Sequence, residues 1–144
     1  MTAANTTYGS PSATPTSFNV SGAGMVEGIF VTPPAGYEVS LSSGSGYANT
    51  ITVGAAGTIN STEVFVRLKS TTGAGSYAGN IVLTSSGADN VTVATVSSTV
   101  APKALTIGGL TGVEKIYDGT TTASLSGTAA YVGLVNAESF SVSG

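Results

Sequence analysis

The chain of 144 residues has no cysteine, no histidine and no tryptophan. Without cysteine there are no disulfides, no zinc–thiolate sites and no thiol nucleophile. Export is not excluded by this, because a sandwich of this length can rest on its apolar core alone. The missing histidine removes more: Ser–His–Asp and Cys–His catalysis and ordinary imidazole metal sites cannot be assembled. Charge is sparse too, at 8% of residues, against about 25% in an average protein. The four basic residues are scattered, only Arg67 and Lys69 lie close together, and the net charge is −3. Binding to nucleic acid draws on clustered Lys and Arg that displace counterions from phosphates, so a nucleic-acid partner is not expected. No apolar run approaches the ~18 residues of a membrane-crossing helix. Residues 1–10, MTAANTTYGS, have neither the basic segment nor the apolar core of a signal peptide, so export requires a signal outside these residues. Helix formers are scarce, and no stretch repeats apolar residues at i, i+3, i+4 and i+7 over three turns.

What remains is a chain of short alternating strands. Hydrophobic residues make up 41% of the sequence, enough to separate it from a disordered Gly/Ser/Thr linker because they alternate with polar ones. The organising stretch is 61–86, STEVFVRLKSTTGAGSYAGNIVLTSS. In 63–69, Val64, Val66 and Leu68 share one face and Arg67 and Lys69 the other, the period of a half-buried strand. Tyr77, Ile81 and Leu83 alternate in the same way after the flexible Gly73-Ala74-Gly75-Ser76. Further strands are expected at 16–21 (Phe18, Val20), 28–32 (GIFVT), 37–41 (Tyr37, Val39, Leu41), 50–53 and 91–100 (Val91, Val93, Val96). They are separated by Gly- and Pro-rich breaks such as Pro33-Pro34-Ala35-Gly36 and Gly54-Ala55-Ala56-Gly57, where proline cannot donate to a ladder and glycine allows a sharp turn. The Thr- and Pro-rich residues 1–15 read as a flexible leader, a loosely held first strand, or a strand donated to a neighbour.

Seven short strands with a turn every ~8–12 residues make the pattern of an immunoglobulin-like antiparallel β-sandwich over residues 16–101. No helical crossover is present that would build a parallel sheet. Tyr77, opening a strand just after a glycine turn, resembles the tyrosine corner of such sandwiches, in which the hydroxyl bonds back to nearby backbone. At Val100-Ala101-Pro102-Lys103 the pattern changes, and the lone proline reads as a stiff hinge. Beyond it the expected strands are 104–107, turned by Gly108-Gly109, then 113–117, 121–126 and 139–143, with Asp118-Gly119 a strong turn signal. Residues 102–144 are therefore expected to hold a second, partial β module. The run 17–22 (SFNVSG) is nearly repeated at 139–144 (SFSVSG), an echo that fits repeat ancestry.

Residues 9–100, above all GYEVSLSSGSGY (36–47) and GSYAGNIVLTSSGA (75–88), resemble immunoglobulin-like repeats found in tandem in very large secreted or surface proteins of Bacteroidetes-type bacteria. Residues from Lys103 onward resemble the first half of a YDG-type repeat, a family named for the motif that stands here as Tyr117-Asp118-Gly119. These resemblances imply a non-catalytic spacer or stalk segment of an extracellular, adhesin-like protein. Its partners would be neighbouring repeats or identical subunits meeting through sheet edges, and no catalytic, cofactor or metal residue carries over.

The residues leave four other chemistries to weigh. The carboxylates Glu27, Glu38, Glu63, Asp89, Glu114, Asp118 and Glu138 fall singly in different segments. No pair marks the acid and base of a glycosidase, and the plain account is a solvated surface. Glu114 and Asp118 are close enough in sequence to ask about Ca²⁺, which takes ~6–8 oxygen ligands; the competing account of Asp118-Gly119 is a structural turn. Tyr8, Tyr37, Tyr47 and Tyr131 flank Gly-rich loops and would be the rings of a carbohydrate platform, if they are not the edge of the core. Asn5, Asn19, Asn60 and Asn90 each open an N-glycosylation sequon, a match that arises freely in a chain rich in Ser and Thr.

Overall fold

A computed structural model describes residues 1–140. Among them every regular element is a strand: β1 (Thr6–Thr7), β2 (Thr16–Met25), β3 (Ile29–Thr32), β4 (Tyr37–Ser40), β5 (Ile51–Val53), β6 (Gly57–Leu68), β7 (Gly75–Tyr77), β8 (Asn80–Thr84), β9 (Val91–Ala94), β10 (Ser98–Ala101), β11 (Thr106–Gly112) and β12 (Leu125–Val132). The protein is all-β. It divides into two compact units, Met1–Pro102 and Lys103–Gly144.

In the first unit the sheets run β2-β6-β4, β5-β3-β8-β9 and β1-β10-β7. The alternation read in the sequence decides which face is buried. Val64, Val66 and Leu68 of β6 are fully buried, while Arg67 turns outward to Glu38, its cross-strand partner on β4. Val31 is buried and its neighbour Phe30 faces out, 39% exposed. Val20, Ile59, Tyr37 and Val39 from the first sheet join Ile29, Val31, Val53 and Ile81 from the second, with Val100 of β10, in one apolar cluster. At about 25 cal/mol per Å² of apolar surface removed from water, such a cluster is the main force holding the sheets together.

Several local readings change. The strand expected from the alternation of Tyr77, Ile81 and Leu83 and the strand expected at 91–100 are each broken, into β7/β8 and β9/β10. The register moves by one residue across Ala78-Gly79 and Thr95-Val96-Ser97, the signature of a bulge. Thr95 stitches the break: its N–H donates to the Gly79 carbonyl at 2.8 Å and its Oγ1 accepts from the Gly79 N–H at 3.0 Å. β6 begins at Gly57 rather than Glu63, and β2 runs on through Gly22-Ala23-Gly24, because these two strands pair with each other along most of their length. Leu41 is 51% exposed and does not continue the buried face of Tyr37 and Val39. The strand ends at Ser40, whose buried hydroxyl donates to the Ser45 carbonyl at 2.5 Å and accepts from the Ser42 N–H at 3.0 Å.

The leader is neither loose nor free for donation. β1 pairs with β10, Thr6 with Val100 and Thr7 with Ala101, and this pairing is parallel, unlike the antiparallel arrangement expected throughout. Ala4 and Ser12 are both buried to 1% exposure. Ser12 is fixed by main-chain groups on two sides. Its Oγ donates to the Ala4 carbonyl at 2.6 Å and accepts from the Leu68 N–H at 3.0 Å, and its own N–H donates to the Leu68 carbonyl at 3.1 Å. The polar composition that suggested flexibility is here the means of attachment, since short hydroxyl and amide side chains bond backbone.

The buried tyrosine of the unit is Tyr37, not Tyr77. Tyr37 is 1% exposed, and its hydroxyl donates across to the Tyr77 carbonyl at 2.8 Å, joining β4 of one sheet to β7 of another. Tyr77 does bond back to Gly73, hydroxyl to carbonyl at 3.0 Å, but at an exposed site. Its ring lies on Gly36, where an added Cβ would come within 2.9 Å of it and where φ is +87°. Glycine is required there twice over, for space and for conformation.

The second unit is a two-stranded ribbon, β11 with β12. Gly108-Gly109 does not turn the chain as expected. β11 continues straight through it, with a register shift between Gly108 and Leu110. Gly109 (φ +79°) and Gly127 (φ +96°) face each other so closely that a Cβ on either would collide with opposing backbone oxygen. Two glycines make a bulge where one sequence signal suggested a turn. Residues 113–117 form no strand, and Ile116 and Tyr117 stand 92% and 93% exposed. The strand expected at 121–126 starts at Leu125 and runs to Val132. That expected at 139–143 falls largely outside the described residues, as does most of the 139–144 echo; Ser139 and Phe140 are not in a strand.

Candidate functional site

Two polar clusters and one apolar groove are the places where chemistry could sit. The first cluster lies on the outer face of β4 and β6. Cross-strand pairing sets Glu38 beside Arg67, and Arg67 Nε donates to Glu38 Oε1 at 2.7 Å. The loop after β4 folds back over them, tied by the paired backbone bonds of Val39 and Ala48, both 2.9 Å. This brings the Tyr47 ring beneath the Arg67 guanidinium, 3.7 Å from its carbon. Burial pushes the Tyr47 phenol above its ordinary value; the Arg67 charge lowers it by less, and Glu38 adds a further rise. Tyr47 also donates to the Ser43 carbonyl at 3.0 Å, and Lys69 Nζ donates to Asn49 Oδ1 at 2.6 Å. Each charged group has its partner within the cluster. What the arrangement does is hold the loop flat on the sheet, by cation–π and ionic contacts that are strongest when partly desolvated.

The second cluster surrounds Tyr117-Asp118-Gly119. Asp118 Oδ1 accepts from the Thr120 N–H and the Thr120 hydroxyl, both at 2.9 Å, and meets Lys115 Nζ at 2.8 Å. The Lys115 ammonium also donates to Thr120 Oγ1 at 2.5 Å and to the Thr122 carbonyl at 2.9 Å. A carboxylate, a hydroxyl and carbonyls converging on one point form the kind of oxygen set that a hard cation takes. The cation at that point is the lysine of the same loop. Lys115 and the Thr120 bonds hold the Asp118 carboxyl below the usual carboxylate range. The motif is therefore a turn closed on itself, with Gly119 at φ +74°. The lysine three residues before the aspartate, which the sequence reading did not use, was the available signal against a metal reading.

The remaining carboxylates are dispersed. Glu27 accepts from the Ser86 N–H at 2.7 Å, Glu63 from the Ser17 hydroxyl at 2.7 Å, and Glu138 from the Val135 N–H at 3.4 Å. Among the described residues no three acidic side chains converge on a point. The four tyrosines considered as a carbohydrate platform are not brought together either. Tyr37 is core, Tyr8 packs against the core, Tyr47 lies under Arg67, and Tyr131 packs on Phe140 with ring centres 6.0 Å apart. Of the sequon asparagines, Asn5 is already engaged, its Oδ1 accepting from the Thr99 N–H at 2.8 Å.

The groove was not legible in the sequence. It measures about 330 Å³ and opens between β2 and the β8–β9 turn, lined by Val20, Met25, Ile29, Leu83, Val91 and Val93 with Asp89 at its rim. Among the described residues β2 and β9 are both edge strands. Their side chains come from separate parts of the chain, so only tertiary pairing assembles the lining.

Against known families, the YDG domain matches residues 101–144, the part that contains β11, β12 and the pinned turn. No curated protein and no solved structure matches the chain.

Proposed function

We propose that the chain is a non-catalytic structural module of an extracellular, adhesin-like or surface-filament protein. In this reading residues 16–101 form a seven-stranded immunoglobulin-like sandwich, with β7/β8 and β9/β10 each counted as one interrupted strand and the leader as an added edge. Residues from 102 onward are the first part of a YDG-type repeat. The observation that carries the reading is the destination of the polar groups. Among the described residues no buried side-chain nitrogen or oxygen lacks a partner, and those partners are largely backbone atoms of strands and turns. Ser12, Ser40, Thr72 and Ser98 all bond main-chain groups and tie the fold together. The YDG match at 101–144 agrees with a repeat protein. A glycan array and a panel of immobilised surface proteins, probed with the intact chain, test the proposal. Silence is expected, and reproducible binding that a single loop substitution abolishes would overturn it.

A second reading, a filament subunit joined by β-strand addition, is favoured by one feature: the apolar groove between two unpaired edges, β2 and β9. Exposed edges template the pairing of another strand. Light scattering across a wide concentration range decides it, since a monomer throughout rules out assembly of this kind.

A further inference from the structure

The parallel pair at the two ends of the first unit has a mechanical consequence. The register between the leader and β10 is constant over four successive positions. The Ala4 N–H donates to Ser98 Oγ at 2.9 Å, the Thr99 N–H donates to Asn5 Oδ1 at 2.8 Å, Thr6 pairs with Val100, and Thr7 with Ala101. The Tyr8 N–H then donates to the Ala101 carbonyl at 2.9 Å. The chain enters this zone from residue 1 and leaves it at Ala101-Pro102. Because the strands are parallel, tension between those two ends pulls them in opposite directions along their own axes. The cross-links then lie across the force and are loaded together, in shear. An antiparallel terminal pair would instead open from one end, bond after bond.

We infer that the leader and β10 form a shear clamp that carries tension between the ends of the first unit. Two of the rungs use side chains, Ser98 Oγ and Asn5 Oδ1, which extends the zone beyond the two ladder positions of β1. Ser98 is buried to 1% exposure, as are Ala4 and Val100 at its sides, so water has poor access to the Ala4–Ser98 rung as it strains, whereas the Asn5–Thr99 rung is exposed. Beyond the clamp, Ser12 bonds to Leu68 and the Gly9 N–H donates to the Ser70 carbonyl at 3.2 Å. The leader is thus anchored to the end of β6 in a second sheet as well, and cannot slide without breaking both attachments. The purpose of the clamp rests on the spacer reading above, but its presence is a property of the pairing and is measured separately.

The absence of native cysteine makes the test direct, since handles can be placed at chosen positions of the full chain. Single-molecule pulling on Met1→Cys/Lys103→Cys loads the pair in shear. Pulling on Met1→Cys/Ser97→Cys enters both strands from their N-terminal sides and peels them. The first axis is expected to give a peak unfolding force several times that of the second. Adding Asn5→Ala and Ser98→Ala is expected to lower the force on the first axis while leaving the second unchanged. Equal forces on the two axes of the otherwise unaltered chain would overturn the clamp, whether or not the rung variants fold. That result would leave the spacer reading standing, whereas reproducible glycan binding would overturn the spacer reading and leave the clamp.

Discussion

Replacing Tyr37 with Phe isolates one atom at the centre of the first unit. The ring stays, with its buried area and its packing against Val39 and Leu68, so almost no cavity opens. What is lost is the hydroxyl that donates to the Tyr77 carbonyl at 2.8 Å. A typical intramolecular hydrogen bond contributes about 0.5–1.5 kcal/mol net, and leaving a buried partner short of a bond costs about 1–3 kcal/mol. Tyr37 is 1% exposed, so water does not readily take the place of the hydroxyl, and the expected loss is about 1–2 kcal/mol. For a domain of this size that is a fall of roughly 4–12 °C in Tm. The companion variant Tyr77→Phe removes a bond at an exposed site, to the Gly73 carbonyl, where water substitutes, and should cost less than about 0.5 kcal/mol. Urea titration followed by near-ultraviolet circular dichroism reads both through the midpoint, provided the slope m stays constant. A Tyr37→Phe midpoint equal to that of the unaltered chain, or a larger loss in Tyr77→Phe, would refute the assignment of the cross-sheet bond to Tyr37.

Other outcomes follow from the same geometry. Leu68→Ala should cost about 2–5 kcal/mol as a fully buried deletion, whereas Leu41→Ala, half exposed, should stay within about 0.5 kcal/mol; denaturant midpoints check both. Gly109→Ala or Gly127→Ala should dissolve the β11–β12 ribbon while leaving the first unit intact, because a Cβ at either position meets opposing backbone oxygen; amide exchange at Thr106–Gly112 and Leu125–Val132 reports the loss. The Asp118 carboxyl sits below its ordinary value, so the turn is favoured by ionisation at pH above the ordinary carboxylate value and loses that support as pH falls through the lower folded value. A two-dimensional NMR titration should show Asp118 titrating at lower pH than in Lys115→Met, and coincident curves would count against the Lys115 contact.

Much of this was legible in the chain because period-2 alternation is a local property. Val64, Val66 and Leu68 point one way whatever they pack against, Pro33-Pro34 ends a strand by its own backbone chemistry, and Asp118-Gly119 makes a local turn. The readings that changed depended on distant partners. Leu41 looked like a third inward residue after Tyr37 and Val39, but the ladder of β4 with β6 ends at Ser40. Gly108-Gly109 looked like a turn, but Gly127 lies opposite and the two make a bulge. Residues 1–15 looked unanchored because their composition offers few apolar groups. Their attachment is by hydroxyl and amide to backbone, which hydrophobic patterning cannot register. The Lys115–Asp118 turn was within reach of sequence, since its members lie only a few residues apart. The groove beside β2 was not, because its lining comes from residues 19 to 93.

The sequence by itself determined the class and the inventory: an all-β chain, without thiol or imidazole chemistry, cut into short strands by glycine and proline, with a change of pattern at Pro102. Tertiary structure alone decided which tyrosine joins the sheets and that the leader runs parallel to β10 in the same unit. It also decided which edges stay open beside an apolar groove. The division has one physical cause. Alternation and turn chemistry act between neighbours in the chain, whereas register, bulges and cross-sheet hydrogen bonds join residues such as Asn5 and Thr99, 94 positions apart, and are fixed only when the whole sheet closes.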